Sequence, residues 1–228
     1  MKGTSREIFL ERVRKALGRR EGAAPDRVSL DHNIIRRPLP SVKDELASLI
    51  DQFSSRARAV GMSVKRCGRA EVSKVLADWI ESEKLSTVLL PEDPCLDSDL
   101  RDHLTRQKIN ICSPDVDLDT LYDQVDCGVT VASAAVAATG SVVLTSSENE
   151  SRLASLVPPR HLVLVPCSVL VEDLLDLSGD DGVLQCGATG IPSSVTLVTG
   201  PSKTADIEGV LVTGVHGPGT VQIVLVTD

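Results

Sequence analysis

Three stretches of the chain are apolar on consecutive residues, and this pattern constrains the fold more than any other feature of the sequence. They are "VVLT" at 142–145, "LVLV" at 162–165 and "IVLV" at 223–226. A strand whose consecutive side chains are all apolar is buried on both faces, which is typical of parallel sheets covered by helices. The pattern therefore predicts an α/β protein.

From residue 41 onward, short apolar runs alternate with segments of helical periodicity. The runs predict strands at 62–67, 86–91, 108–112, 129–133, 140–146, 161–166, 194–200 and 220–228. The periodic segments predict helices at 41–61, 69–84, 96–106, 117–125, 151–157 and 169–177. This alternation predicts one domain over 41–228, with a largely parallel sheet between layers of helices.

The first 40 residues have a different pattern. Apolar residues recur at helical spacing over 4–18 and stop at Gly18, and the next twenty residues carry charge and proline without any period. We therefore expect residues 1–40 to form a helix and a linker arm outside the main domain.

Composition and charge narrow the class of partner. The net charge is −8 and aromatic residues make up 2% of the 228 residues, so phosphate backbones are repelled and aromatic platforms for bases are scarce. No apolar run reaches membrane-spanning length, and the N-terminus lacks the apolar core of a signal peptide. We expect a cytoplasmic protein without a nucleic-acid partner or a membrane-spanning segment.

The six cysteines are too far apart for a metal or cluster motif. They are Cys67, Cys95, Cys112, Cys127, Cys167 and Cys186, without any C-x-x-C pair. Their spacing predicts free, mostly buried thiols and neither a metal site nor a cofactor in this chain. The sequence also lacks a G-x-S-x-G elbow and a dinucleotide fingerprint, so it leaves the catalytic residues unassigned.

Three polar loops are the candidate binding regions, because ligands in open α/β sheets bind beyond the carboxyl ends of the strands. Two of the loops are expected to leave such ends, after "VVLT" and "VTLV", and the third enters its strand. They are "ATG" at 138–140, "SSENESR" at 146–152 and "TGPSKTADIEG" at 199–209. The candidate ligand-binding residues in these loops and in "GVHGPG" are Thr139, Gly140, Arg152, Gly200, Ser202, Lys203, Thr204, Asp206, Glu208 and His216.

The segment "GPSKTADIE" has two interpretations. It is not a phosphate-binding P-loop, because Ser202 stands where that motif needs its second glycine. Ser202 or Thr204 is expected to cap a following helix, whose N-terminus together with Lys203 would bind a small anion. The alternative is a capped helix without a ligand, since Asp206 and Glu208 would themselves satisfy the helix dipole.

The other candidates also have plain structural alternatives. His216 lies among glycines and a proline, which favours a tight turn with a surface histidine over a general base. Thr139 and Gly140 allow a close backbone approach before a buried strand. Arg152 either binds a carboxylate or phosphate, or is an exposed residue beside a capping Ser151.

Several of these segments together resemble one family. "ATGSVVLTSSENESRLASLVPPRHLVLVP" at 138–166 and "VTGPSKTADIEGVLVTGVHGPGTVQIVLV" at 198–226 are similar to the LUD (lactate utilization) domain family, and "REIFLERVRKALG" resembles the opening helix of its small members. The family typically has an acidic residue where this chain has Ala138. If that carboxylate acts in relatives, this chain would need an acid from elsewhere, such as Asp206.

The resemblance implies a fold and a role. The fold would be NagB/RpiA/CoA-transferase-like, and the chain would be an accessory component of a system that oxidises L-lactate to pyruvate. The redox centres would then lie in iron–sulfur and cysteine-rich partner subunits. The same fold analogy leaves two alternatives: a ligase or transferase that binds a nucleotide, folate or CoA compound, and a lactate-binding regulatory protein that uses Lys203 or Arg152.

Overall fold

The computed structural model describes residues 5–18, 46–94, 96, 98–146, 151–178, 183, 192, 194–205 and 211–227. The chain divides into two compact units, Met1–Leu39 and Pro40–Asp228. The first unit contains helix α1 (Arg6–Ala16), whose first turn is capped by Ser5: its hydroxyl accepts the N–H of Ile8 at 3.4 Å.

The second unit alternates helices and strands along its first half. Its elements are α2 (Leu46–Ala59), β1 (Ser63–Gly68), α3 (Val72–Ser82), β2 (Thr87–Leu89), α4 (Ser98–Arg106), β3 (Asn110–Cys112), α5 (Leu118–Asp123) and β4 (Cys127–Val131). The second half is mainly strands: β5 (Ala134–Val136), β6 (Ser141–Thr145), β7 (Arg160–Pro166), β8 (Leu170–Val171), β9 (Val195–Val198), β10 (Lys203–Ala205), β11 (Leu211–Thr213) and β12 (Thr220–Thr227). Short 3-10 turns lie at Arg69–Glu71, Arg152–Ser155, Cys167–Val169 and Leu174–Ser178.

Six strands form a sheet in which every neighbouring pair is parallel, in the order β1–β12–β7–β4–β2–β3. The prediction of an α/β fold with a largely parallel sheet is confirmed. Six of the eight predicted runs supply these strands. The continuously apolar runs of β7 and β12 are buried along most of their length, whereas the edge strands β1 and β3 have exposed residues.

Both faces of the six-stranded sheet are buried. Leu162 and Leu164 of β7 join the cluster that contains α3 and α4, whereas Val163 and Val165 join the cluster that contains α2 and part of a second sheet. Alternate residues of one strand therefore pack against two different layers, which explains why the run "LVLV" is apolar throughout.

The second sheet contains two of the predicted strands. Its order is β8–β5–β6–β9, and β6 is antiparallel to both β5 and β9. The expectation that the loops after β6 and β9 leave the carboxyl edge of one parallel sheet is therefore wrong. The reason is the short turn at 137–140, which joins β5 and β6 as a hairpin instead of a crossover.

The helix expected to start at Ser202 or Thr204 is also absent. Lys203–Ala205 is strand β10, which pairs antiparallel with β11. The N–H of Ser202 donates to the carbonyl of Pro218, and its own carbonyl accepts the N–H of Gly214, both at 2.9 Å. These bonds hold the backbone extended, so the hairpin prevails over the local capping signals.

Two other predictions of helices are wrong, because neither segment contains an α-helix. The segment 151–157 contains only the 3-10 turn Arg152–Ser155, and 169–177 contains β8 and part of the turn Leu174–Ser178. Within the described ranges, no helix is long and apolar enough to cross a membrane.

Candidate functional site

A cavity of about 180 Å³ lies where β7, β9 and β12 meet the turns around 200 and 217. We call it the β9 cavity. It is lined by Ser155, Leu156, His161, Thr196, Leu197, Val198, Thr199, Gly200, Ser202, His216, Gly217, Pro218 and Val221. The cavity faces the first residues of β7 and β12, so it lies at the amino-terminal ends of these two parallel strands.

His161 is the most unusual residue of this cavity. The second residue of β7, it is 0% exposed and its Nε2 lies 2.9 Å from the hydroxyl oxygen of Thr130. Its Nδ1 is buried without a hydrogen-bond partner among the described residues. Burial lowers the pKa of this imidazole to about 3, so the ring is neutral at neutral pH.

A small recess adjoins the β9 cavity. It has a volume of about 10 Å³, enough for about one water molecule, and is lined by Thr130, Leu144, Thr145, Ser146, Ser151, Arg152, Ser155 and Thr196. We call it the Arg152 recess. Ser155 and Thr196 line both spaces, and Thr130 contacts His161, so the two spaces form one candidate site.

The 3-10 turn Arg152–Ser155 is held against the sheet by a glycine. A Cβ on Gly128 of β4 would lie 1.9 Å from the carbonyl oxygen of Ala154, so only glycine fits under this turn. Ser151 caps the turn by accepting the N–H of Leu153, and the Ser155 hydroxyl donates to the carbonyl of Arg152 at 3.0 Å. These contacts position Arg152 and Ser155 at the site.

The structure brings four of the predicted residues to this site. Gly200, Ser202 and His216 line the β9 cavity, and Arg152 lines the recess. Both Arg152 and His216 are exposed to solvent. The segments "GPS" and "GVHGP" are therefore two walls of one cavity, joined by the backbone bonds of Ser202 to Gly214 and Pro218.

Three of the predicted residues have structural contacts that explain their type. The Lys203 ammonium donates to the carbonyl of Val60 at 3.2 Å, at the C-terminal end of α2. Gly140 has φ 70°, and a Cβ there would lie 2.3 Å from the backbone nitrogen of Ala57. The close approach predicted at Gly140 is therefore to helix α2. Thr139 bonds Ser141, which in turn bonds Thr199 on the cavity wall, at 2.8 and 2.7 Å.

The remaining candidates lie elsewhere. Thr204 is the middle residue of β10 and does not line the cavity. Asp206 and Glu208 lie outside the described residues. Ala138, which replaces the acidic residue typical of the family, packs on an apolar cluster with Val136 and Leu177.

Sequence reasoning missed His161 and Thr130. His161 was assigned only to an apolar strand, and Thr130 belongs to the run "VTVAS". A signal was present, because a histidine and a threonine inside strands that are otherwise apolar need each other, or a ligand, as hydrogen-bond partners.

The site offers hydroxyl groups, a neutral imidazole with a free nitrogen, and one guanidinium. Such groups bind and orient a small polar molecule through hydrogen bonds. In the part of the chain that the structure describes, no group of three or more His, Cys, Asp or Glu side chains is placed to hold a metal ion.

Comparisons with known proteins agree on one family. The model of the LUD domain matches residues 50–226. Lactate utilization protein C from Exiguobacterium sp. is 30% identical over 226 residues, which are 99% of this chain and 97% of that protein. Lactate utilization protein C from Halalkalibacterium halodurans is 29% identical over 234 residues, covering 98% of each chain.

A solved structure shows the same fold. The crystal structure of a DUF162 family protein from Deinococcus radiodurans matches with a TM-score of 0.59 and 20% identity, over 80% of this chain and 99% of that chain. The family model covers most of the sequence, and the relative from Exiguobacterium aligns over nearly all of it. The chain belongs to the LUD domain family.

Proposed function

We propose that this chain is an accessory component of a system that oxidises L-lactate to pyruvate and that it acts without a redox centre of its own. The observation that carries the proposal is an alignment that covers 97% of the length of a protein named lactate utilization protein C. The motif series at 138–166 and 198–226 supports the same assignment.

In this proposal the iron–sulfur clusters and the electron transfer belong to partner subunits, one of them cysteine-rich. Three thiols among the described residues support that division. Burial raises the pKa of Cys127 to about 12 and also raises the pKa of Cys67 and Cys112, so these groups stay protonated at neutral pH. A protonated, buried thiol is a poor ligand for a cluster and a poor nucleophile.

The alternative of a ligase or transferase for a nucleotide, folate or CoA compound receives less support from the site. Pockets that enclose molecules of that size have volumes of about 300–1,000 Å³. The β9 cavity has about 180 Å³. It fits a molecule of a few heavy atoms better than a cofactor of this class.

Growth on L-lactate tests the proposal. A strain that lacks this chain is expected to grow normally on glucose and to lose growth on L-lactate as sole carbon source. Expression of the wild-type chain from a plasmid should restore that growth. Unimpaired growth of the deletion strain on L-lactate would contradict the proposal.

A further inference from the structure

The charged side chains of the β9 cavity and the Arg152 recess are few. Among their described lining residues, Arg152 is the one arginine or lysine, and none is an aspartate or glutamate. The ion pairs among the described residues join Arg66 to Asp51, His103 to Glu81 and Arg160 to Glu83, and do not include Arg152. A guanidinium that has no acidic partner among the described residues, beside serine and threonine hydroxyls, favours an anionic group in the ligand.

The second polar feature is the free nitrogen of His161. The hydroxyl of Thr130 bonds to Nε2, and the buried Nδ1 has no hydrogen-bond partner in the part of the chain that the structure describes. A buried nitrogen that makes no hydrogen bond is destabilising, and a ligand oxygen or a water molecule would remove that cost. Thr130 also lines the Arg152 recess, so its hydroxyl links the imidazole of the β9 cavity to the recess that Arg152 lines.

Part of the cavity wall is apolar, and the cavity is small. Leu156 and Leu197 line the cavity, yet 43% and 47% of their surfaces are exposed. Exposed leucines in a cavity wall favour a ligand with a carbon skeleton over an inorganic anion. The volume of about 180 Å³ limits that skeleton to a few carbon atoms.

We propose that the β9 cavity and the Arg152 recess bind a short carboxylic acid that carries a hydroxyl or keto group. Arg152 pairs with the carboxylate, His161 hydrogen-bonds to the hydroxyl or keto oxygen, and Leu156 and Leu197 contact the carbon chain. The choice of acid rests on the proposed function, which makes lactate and pyruvate the natural probes. The chain would then bind a substrate or product of the system whose redox chemistry its partners perform.

Thermal unfolding of the purified full chain, with the probes at equal ionic strength, tests this proposal. L-lactate or pyruvate at ten times its dissociation constant is expected to raise the Tm by about 3–5 °C, because only the folded chain binds it. Lactamide, which replaces the carboxylate with a neutral amide, and sodium phosphate, which has no carbon chain, should leave the Tm unchanged.

Two variants locate the effect. Arg152→Gln is expected to abolish the shift, whereas Arg69→Gln, the loss of an exposed arginine in the 3-10 turn Arg69–Glu71, should retain it. In the wild type, the ¹⁵N resonances of the His161 ring should move on titration with L-lactate, while those of the exposed His103 should not.

Three results would overturn the proposal. They are no Tm shift with either acid at 50 mM, an equal shift with lactamide or phosphate, and an undiminished shift in Arg152→Gln. These results are distinguishable from failure of the proposed function. A chain that is required for growth on L-lactate but fails to bind either acid would leave the lactate role standing and refute the ligand.

Discussion

At the scale of single residues, the site depends on polar side chains that are buried within apolar strands. His161 has no charged neighbour that shifts its pKa, and burial alone keeps it neutral. A Cβ at Gly140 or Gly128 would lie 2.3 or 1.9 Å from a backbone atom of another element, so both positions require glycine. These residues are constrained by tertiary packing, so their roles become visible only when the partner element is known.

The buried imidazole predicts a loss of stability in mild acid. The unfolded chain binds a proton at His161 below pH 6.5, whereas the folded chain binds it only near pH 3. The free energy of unfolding should therefore fall as the pH decreases from 6.5, and His161 should account for a loss of about 2 kcal/mol between pH 7 and pH 5. Urea denaturation at the two pH values measures this loss.

Two variants isolate that contribution. His161→Gln should lower stability at pH 7 and remove most of the extra loss at pH 5. His103→Gln, at an exposed histidine that pairs with Glu81, should retain the loss. An equal loss between pH 7 and pH 5 in His161→Gln and the wild type would contradict the buried, neutral state.

Gly140→Ala is expected to destabilise the domain strongly. The new Cβ would meet the backbone of α2 at 2.3 Å, and φ 70° adds strain for any residue with a side chain. We expect a loss of about 3 kcal/mol or more in the free energy of unfolding. Gly68→Ala is the control, since its Cβ would meet no atom closer than 3.8 Å, and it should cost less than about 1 kcal/mol.

At the scale of elements, the sequence predicts strands well and their partners poorly. All eight predicted runs contain strands. In runs that are apolar throughout, such as "LVLV", the pattern indicates burial on both faces. Burial does not report which sheet a strand joins, so "VVLT" and "VTLV" belong to a sheet that was not expected. The segment after Gly200 shows the same limit, since its capping residues predict a helix but pairing with β11 makes it a strand.

The 3-10 turn Arg152–Ser155 packs on Gly128 and also carries residues of the candidate site. Gly128→Ala should push this turn from the sheet, because its Cβ would overlap the carbonyl of Ala154. We expect a lower Tm together with a loss of the lactate-induced Tm shift. A folded Gly128→Ala chain that keeps the full shift would show that the position of this turn is unimportant for binding.

The Lys203 ammonium bonds to the C-terminal end of α2, so we expect that it does not bind the ligand. Lys203→Met should therefore lower the free energy of unfolding by about 0.3–1 kcal/mol, through loss of the bond to Val60 and of a cation at the helix C-terminus. Its Tm shift with L-lactate should equal that of the wild type, in contrast to Arg152→Gln. A lost shift in Lys203→Met would place the anion at the hairpin instead.

At the scale of the whole molecule, the family resemblance depends on motifs that are separate in the sequence. The sequence alone does not show that these motifs lie together in the fold. "GPS" and "GVHGP" are about fifteen residues apart, yet both line the β9 cavity. The described residues supply hydrogen-bonding groups and one cation to the candidate site. The buried Cys127 thiol is protonated, and none of the described cysteines lines the cavity. A binding role beside redox-active partners accounts for both facts.

The most direct test of that role is isolation of the tagged chain from lactate-grown cells without oxygen, followed by assay of the eluate for L-lactate-dependent dye reduction. The account predicts that the eluate contains iron and cysteine-rich partner proteins and that it reduces the dye only when L-lactate is added. The purified chain alone should be inactive. An iron-free eluate of this chain alone, or lactate oxidation by the chain without partners, would contradict the account.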